Sequence, residues 1–204
     1  MKKFLIWAIM CLMACGTATA QEYTKAERKE ARKQAKADIK AGYLVKPGCS
    51  SLEAQYLSFN AMKNKKDEEG YPLYIVGSGS ALGQNYDAAR FQAIELAKGD
   101  IVRQMETNIT SLVESGIANR QTGPGAAVGV TETVGAIVGR VSKKIGRVIV
   151  AFEAYKILPG GNTEVTIHVA YSSKKAQEIV DASVREVLEM ETDALLEEIK
   201  QTNK

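Results

Sequence analysis

The clearest local pattern in this sequence is a β-hairpin between residues 147 and 171. Two runs of mostly apolar and β-branched residues flank the segment Leu158–Asn162, which contains Pro-Gly-Gly-Asn and favours a turn. In the second run apolar and polar residues alternate, so one face of that strand should pack inward, through Val165, Ile167, Val169 and Tyr171. The hairpin therefore predicts an antiparallel sheet that other elements must cover.

Helical patterns surround this hairpin. Capping residues and apolar residues spaced by three or four positions predict helices over 24–40, from 52, over 87–119, over 131–145 and from 173. A short strand is predicted at Tyr71–Val76, followed by a glycine-rich turn at Gly77–Gly83. The order is two helices followed by β-α-α-β-β-α. It predicts an α+β fold: an antiparallel sheet of about three strands, packed on one face against long helices, with an N-terminal helical extension.

The N-terminus is typical of an export signal. Lys2 and Lys3 precede a short apolar run, and Ala18-Thr19-Ala20 fits a signal-peptidase site. The segment Leu12-Met13-Ala14-Cys15 also resembles a lipobox, in which Cys15 would be lipidated. Cleavage at either site, before Cys15 or after Ala20, would give a protein of the periplasm or outer membrane. We favour cleavage after Ala20. We therefore divide the chain into a signal peptide (1–20), an N-terminal helical extension (21–66) and an α+β envelope domain (67–204).

The charge balance gives no indication of nucleic-acid binding. The chain has 27 basic and 24 acidic side chains, and removing Lys2 and Lys3 with the signal leaves 25 against 24. The first helix is nevertheless basic, with Arg28, Arg32 and Lys36 spaced by four residues. This stripe is either a solvated face or a surface that docks on acidic groups, on the C-terminal helix or on an anionic envelope component.

The glycine-rich segment is the one candidate ligand site. Gly77, Ser78, Gly79, Ser80 and Gly83 lie between a predicted strand and a helix, where a phosphate-binding loop would lie. The spacing matches neither a dinucleotide fingerprint nor a Walker loop. Two interpretations remain: a tight reversal before the helix, or a loop that holds a small anion with the helix N-terminus.

Catalytic and metal-binding patterns are weak. Cys49 and the single histidine, His168, could form a Cys–His pair, but a buried cysteine and a surface histidine explain them better. We expect no catalytic residue, no metal site and no cofactor, and therefore no enzyme.

One region resembles a known family. The segment Tyr74–Ala81, followed by Ala88–Lys98, is similar to the twenty-kilodalton surface lipoprotein family (Lpp-type antigens) of bacterial envelopes. That family shows a strand ending in G-x-G-x-A and then an alanine-rich helix. Gly146–Val150 and Ala170-Tyr171 resemble its hairpin, so the likeness covers about residues 71–190. It implies an envelope-located, non-enzymatic α+β module that often dimerises.

The expected function is a structural or interaction module of the cell envelope. The exposed sheet face and a helix that overhangs it would pair with a second copy or with another envelope protein. The alternative is a periplasmic protein that binds a small anionic ligand at Gly77–Gly83.

Overall fold

The structure, a computed structural model, describes residues 23–118 and 126–202. Within these ranges the chain forms five helices and three strands, which confirms the α+β fold. In chain order they are α1 (Lys25–Lys40), α2 (Leu52–Asn64), β1 (Tyr74–Gly83), α3 (Tyr86–Ala118), α4 (Ala126–Lys144), β2 (Ile149–Ile157), β3 (Thr163–Ser172) and α5 (Ser173–Thr202). Cys15 and the rest of the predicted signal peptide lie outside the described residues.

Local sequence signals account for several of these boundaries. Thr24 and Glu27 form the predicted capping box at the start of α1, and Gly42 follows the helix with a φ of 90°. Gly160 and Gly161 also have positive φ and form the turn between β2 and β3. α4 begins at Ala126, five residues before the predicted start.

The sheet is antiparallel throughout, in the order β1-β3-β2, so β3 is the central strand. Gly79 of β1 and Glu153 of β2 both lie opposite Ile167 of β3. An irregularity between Val150 and Phe152 shifts the register of β2 by one residue. The strand that the sequence predicts most clearly is therefore the strand that organises the sheet.

One face of the sheet carries the main apolar core. Val165, Ile167, Val169 and Tyr171 of β3 point into it as predicted, and α3 packs directly above them. α4 packs against α3, and α5 packs on α4. Ile109 and Val113, towards the end of α3, are buried in the same core as Val134, Ile137 and Val141 of α4.

The opposite face is covered as well, which corrects the expectation of helices on one face only. Phe152 and Ala154 of β2 are buried there with Leu52 of α2 and Ala35 of α1. Tyr56 and Phe59 of α2 pack against the same cluster. These contacts make a helix–sheet–helix sandwich, because α2 lies across the sheet on the side away from α3. The cluster joins residues from both sides of the predicted boundary at residue 66.

Candidate functional site

The glycine-rich segment is a strand and not the turn predicted from the sequence. Residues Gly77 to Gly83 form the second half of β1 and pair with β3. A Cβ atom at Gly77 would collide with the Ala97 carbonyl oxygen, and one at Gly79 would collide with that of Ala93. At Gly83 it would lie 2.6 Å from the Ala89 nitrogen. The glycines therefore let α3 lie directly on β1.

This geometry does not support an anion-binding loop at Gly77, Gly79 and Gly83. Their α-carbons face the backbone of α3, with no space between helix and strand for a ligand. Ser78 and Ser80 point to the other face of the sheet, because side chains alternate along a strand. The five predicted ligand-binding residues are therefore divided between two faces and form no common pocket.

Ser78 and Ser80 have structural partners on that second face. The Ser78 hydroxyl lies 2.7 Å from Nδ1 of His168, on the neighbouring strand. The Ser80 hydroxyl lies 3.0 Å from that of Thr166. Both contacts join β1 to β3 from side chain to side chain.

The single histidine is half-buried and not on the surface as expected. Its ring contacts those of Phe59 and Phe152, with centroid distances of 4.7 Å and 4.9 Å. Burial lowers the pKa of His168 below its usual value, although Asp38 acts in the opposite direction. The helix α2 supplies Phe59, so the environment of His168 depends on contacts distant in the sequence.

The Ser78–His168 pair lacks the surroundings of a nucleophile and base. The Ser78 main-chain N–H donates to the Asp100 carboxylate at 3.0 Å, so it is not available to stabilise an oxyanion. Two aromatic rings hold the imidazole in place. The arrangement resembles a polar contact between neighbouring strands more than a catalytic dyad.

Cys49 is exposed in the turn before α2, which corrects the expectation of a buried cysteine. No contact between Cys49 and His168 is present among the described residues. In the same part of the chain, no group of three or more His, Cys, Asp or Glu side chains is arranged to hold a metal ion.

The outer edge of β1 is protected along half of its length. Gln104 of α3 donates to the Val76 carbonyl at 2.7 Å, and Asp100 accepts from Ser78. Alternate residues of a strand point their main-chain groups to the same side, so those of Ser80 and Leu82 also point to this edge. No described side chain caps them.

Two exposed leucines flank this uncapped part of β1, which we call the open edge (residues 80–82). Leu82 is 59% exposed on the second face of the sheet. Leu96 of α3 is 53% exposed and lies beside Gly79 on the first face. An edge with unpaired main-chain groups between two leucines is unusual, because soluble proteins generally protect their edge strands.

The opposite edge of the sheet, along β2, is occupied by the chain itself. Leu44 and Tyr155 exchange two main-chain hydrogen bonds of 2.7 Å and 2.9 Å. Gln55 of α2 accepts from the Glu153 N–H at 2.6 Å. The open edge at β1 is therefore not repeated at the same positions of β2.

A cavity of about 480 Å³ lies beside the first residues of β1, between α3 and α5. Its lining includes the apolar residues Val76, Met105 and Val180 and several polar side chains. Lys63 of α2 is the one charged residue in this lining. The volume is in the range of small-molecule sites.

The predicted docking residues Arg28, Arg32 and Lys36 are all exposed on α1. None of them forms an ion pair with a side chain that the structure describes. None of the helices in residues 23–118 and 126–202 is both long and apolar enough to cross a bilayer.

No family model, no curated protein and no solved structure matches this chain.

Proposed function

We propose that this protein is an exported, non-enzymatic interaction module of the bacterial envelope that self-associates through its open edge. The observation that carries the proposal is the contrast along β1: Asp100 and Gln104 cap one half of the edge, and the other half is bare. The export segment in the sequence and the resemblance to surface lipoproteins support the location. The likeness to that family also favours a dimer.

A second copy suits the open edge geometrically. Two β1 strands that run antiparallel about Ala81 bring Ser80 of each copy opposite Leu82 of the other. Residues paired in this way exchange two main-chain hydrogen bonds, so the two pairs together give four. Leu82 of one copy then lies beside Ser80 of the other on the second face. Leu96 of each copy lies near the junction on the first face, so apolar area is buried on both faces.

The oligomeric state tests this proposal. The chain without residues 1–20 is examined by light scattering and sedimentation over a concentration series. We expect a dimer that Leu82→Lys disrupts, because a charged side chain on an edge opposes strand pairing. The matched control is Ile157→Lys, since Ile157 is 62% exposed and lies at the end of β2. A strict monomer, or a dimer that both substitutions affect equally, would contradict the proposal.

The non-enzymatic part of the proposal is tested separately. The strongest candidate nucleophiles are Ser78, Ser80 and Cys49, because their surroundings come closest to those of catalytic serine and cysteine residues. Turnover of model ester or peptide substrates that is abolished by Ser78→Ala, Ser80→Ala or Cys49→Ser would overturn it. We expect no turnover above that of a heat-denatured control.

The cavity favours a second candidate function, the binding of a small anionic ligand beside Lys63. This site differs from the glycine-rich segment, which α3 covers. A thermal-shift screen of small carboxylates and phosphates tests it, with Lys63→Gln as the variant. Stabilisation that Lys63→Gln removes and Lys65→Gln does not would support ligand binding, and equal loss in both variants would contradict it.

A further inference from the structure

The helix α1 presents an unpaired basic surface. It has seven lysine and arginine side chains, all of them exposed: Lys25, Arg28, Lys29, Arg32, Lys33, Lys36 and Lys40. With 3.6 residues per turn, all seven lie within an arc of about 140° around the helix axis. Among the described residues, none of the seven forms an ion pair. We call this arc the basic face.

The rest of α1 holds the helix so that the basic face points away from the protein. Ala31 and Ala35 are buried, with α1 packed on α2. The Asn60 amide donates to Gln34 at 3.1 Å, and the Tyr56 hydroxyl donates to Asp38 at 2.5 Å. The contacts to α2 thus fix the rotation of the helix. The basic face is a preformed surface, and no counter-charge from the described residues covers it.

We infer that the basic face docks on a bilayer surface that contains anionic phospholipids. Like charges at i, i+4 repel each other, so an anionic surface that neutralises these cations would stabilise the helix. The phosphates of a bilayer surface can contact cations along the whole length of an exposed helix face. Ile39 is the one large apolar side chain in the arc, so the helix lies on the headgroups and does not insert.

The position of α1 in the chain favours a membrane over an acidic protein. The helix begins at Lys25, five residues after Ala20 and ten after Cys15. A lipid on Cys15 would therefore hold α1 close to the bilayer. One acyl chain gives only marginal binding, and a basic patch is a common second attachment signal. This inference rests on the proposed envelope location and not on self-association. The support from the position of α1 applies to the cut at Cys15, whereas the exposed positive charge supports the inference for either cut.

Vesicle binding of the chain without residues 1–20 tests the inference. We expect it to co-sediment with vesicles of phosphatidylglycerol and phosphatidylcholine at low salt, and much less with phosphatidylcholine alone. Added salt should release it, because screening weakens attraction between exposed charges. The triple variant Arg28→Gln, Arg32→Gln, Lys36→Gln should bind roughly 100-fold more weakly, since each surface cation contributes about fivefold.

The matched control removes three exposed lysines elsewhere, by Lys65→Gln, Lys66→Gln and Lys174→Gln. It has the same net charge as the triple variant and should bind like the unmodified chain. Equal weakening in both variants would mean that net charge alone acts, and it would overturn the inference. Binding to an acidic polypeptide such as polyglutamate without binding to anionic vesicles would also overturn it. Light scattering of the same variants separates this result from a failure of self-association.

Discussion

Gly79 of β1 lies directly beneath the carbonyl group of Ala93 in α3, and no Cβ atom fits between them. Gly77 and Ala97 repeat the relationship one step away. Two residues of a strand advance about 6.6 Å, and four residues of a helix advance about 6 Å. The spacing of the two glycines therefore matches the spacing of the two alanines. The close approach of α3 to the sheet thus depends on glycine in the strand and alanine in the helix.

Gly79→Ala should therefore destabilise the protein. The new methyl group would force α3 away from β1, and overpacking of this kind typically costs about 1–3 kcal/mol or more. Urea denaturation measures the loss as a lower midpoint. The control is Gly99→Ala in α3. Apart from the neighbouring backbone of that helix, a Cβ atom at Gly99 would have nothing within 4 Å. That change should stabilise the protein by up to about 1 kcal/mol, because alanine favours the helix. Equal effects of the two substitutions would refute the close approach.

The stability of the protein should depend on His168 between pH 7.5 and pH 5.5. Burial lowers the pKa of His168 in the folded protein from the ordinary value of 6.5. Below pH 6.5 the unfolded chain therefore takes up a proton that the folded chain does not. The free energy of unfolding should consequently fall as the pH falls. It is measured by urea denaturation at several pH values.

His168→Gln is the control for this pH dependence, because His168 is the only histidine in the sequence. The variant should show a flatter profile over the same range. Burial raises the pKa of Glu153, but this group titrates in both proteins and cancels in the comparison. Parallel profiles for the two proteins would show that His168 is not shielded by Phe59 and Phe152.

Ile101→Asp should unfold the main core. Ile101 of α3 is fully buried in the main core, and an unpaired carboxylate there costs several kcal/mol. The control is Leu112→Asp in the same helix, since Leu112 is 43% exposed. Thermal unfolding followed by circular dichroism should show a large fall in Tm for Ile101→Asp and a small one for Leu112→Asp. An unchanged Tm for Ile101→Asp would contradict this packing of α3.

The intact mass of the protein isolated from bacterial envelopes should identify the export cut. We expect a chain that begins at Gln21, because Ala18-Thr19-Ala20 fits signal peptidase well. A mass that begins at Cys15 with added acyl chains would identify a lipoprotein instead. A chain that still begins at Met1 would contradict export.

The hairpin and the first helix could be predicted because their signals are local. Pro159 and Gly160 mark a turn, the inward residues of β3 alternate, and Thr24 caps α1 within four residues. The second half of β1 was missed because glycine has a low strand propensity. A glycine inside a strand can also mark the close approach of another backbone. The alternation of Gly77, Gly79 and Ala81, opposite the alanine spacing of α3, was the signal that could have identified it.

The surroundings of His168 could not be predicted, because they depend on where α2 packs. Phe59 and His168 are far apart in the sequence, and nothing in either segment specifies the other. The same applies to Asp100 and Gln104, whose capping of β1 depends on the rotation of α3. Side-chain contacts between distant elements of this kind need the three-dimensional arrangement.

The half-capped edge of β1 also limits how far association can proceed. A sheet with two open edges can add copies without end and form a fibre, as cross-β aggregates do. Here Leu44 and Gln55 occupy positions along β2, and pairing two copies at Ser80 and Leu82 uses up both open edges at once. The proposed two-fold contact would be closed, so growth would stop at two chains. In that arrangement a short bare segment of strand would carry no risk of polymerisation.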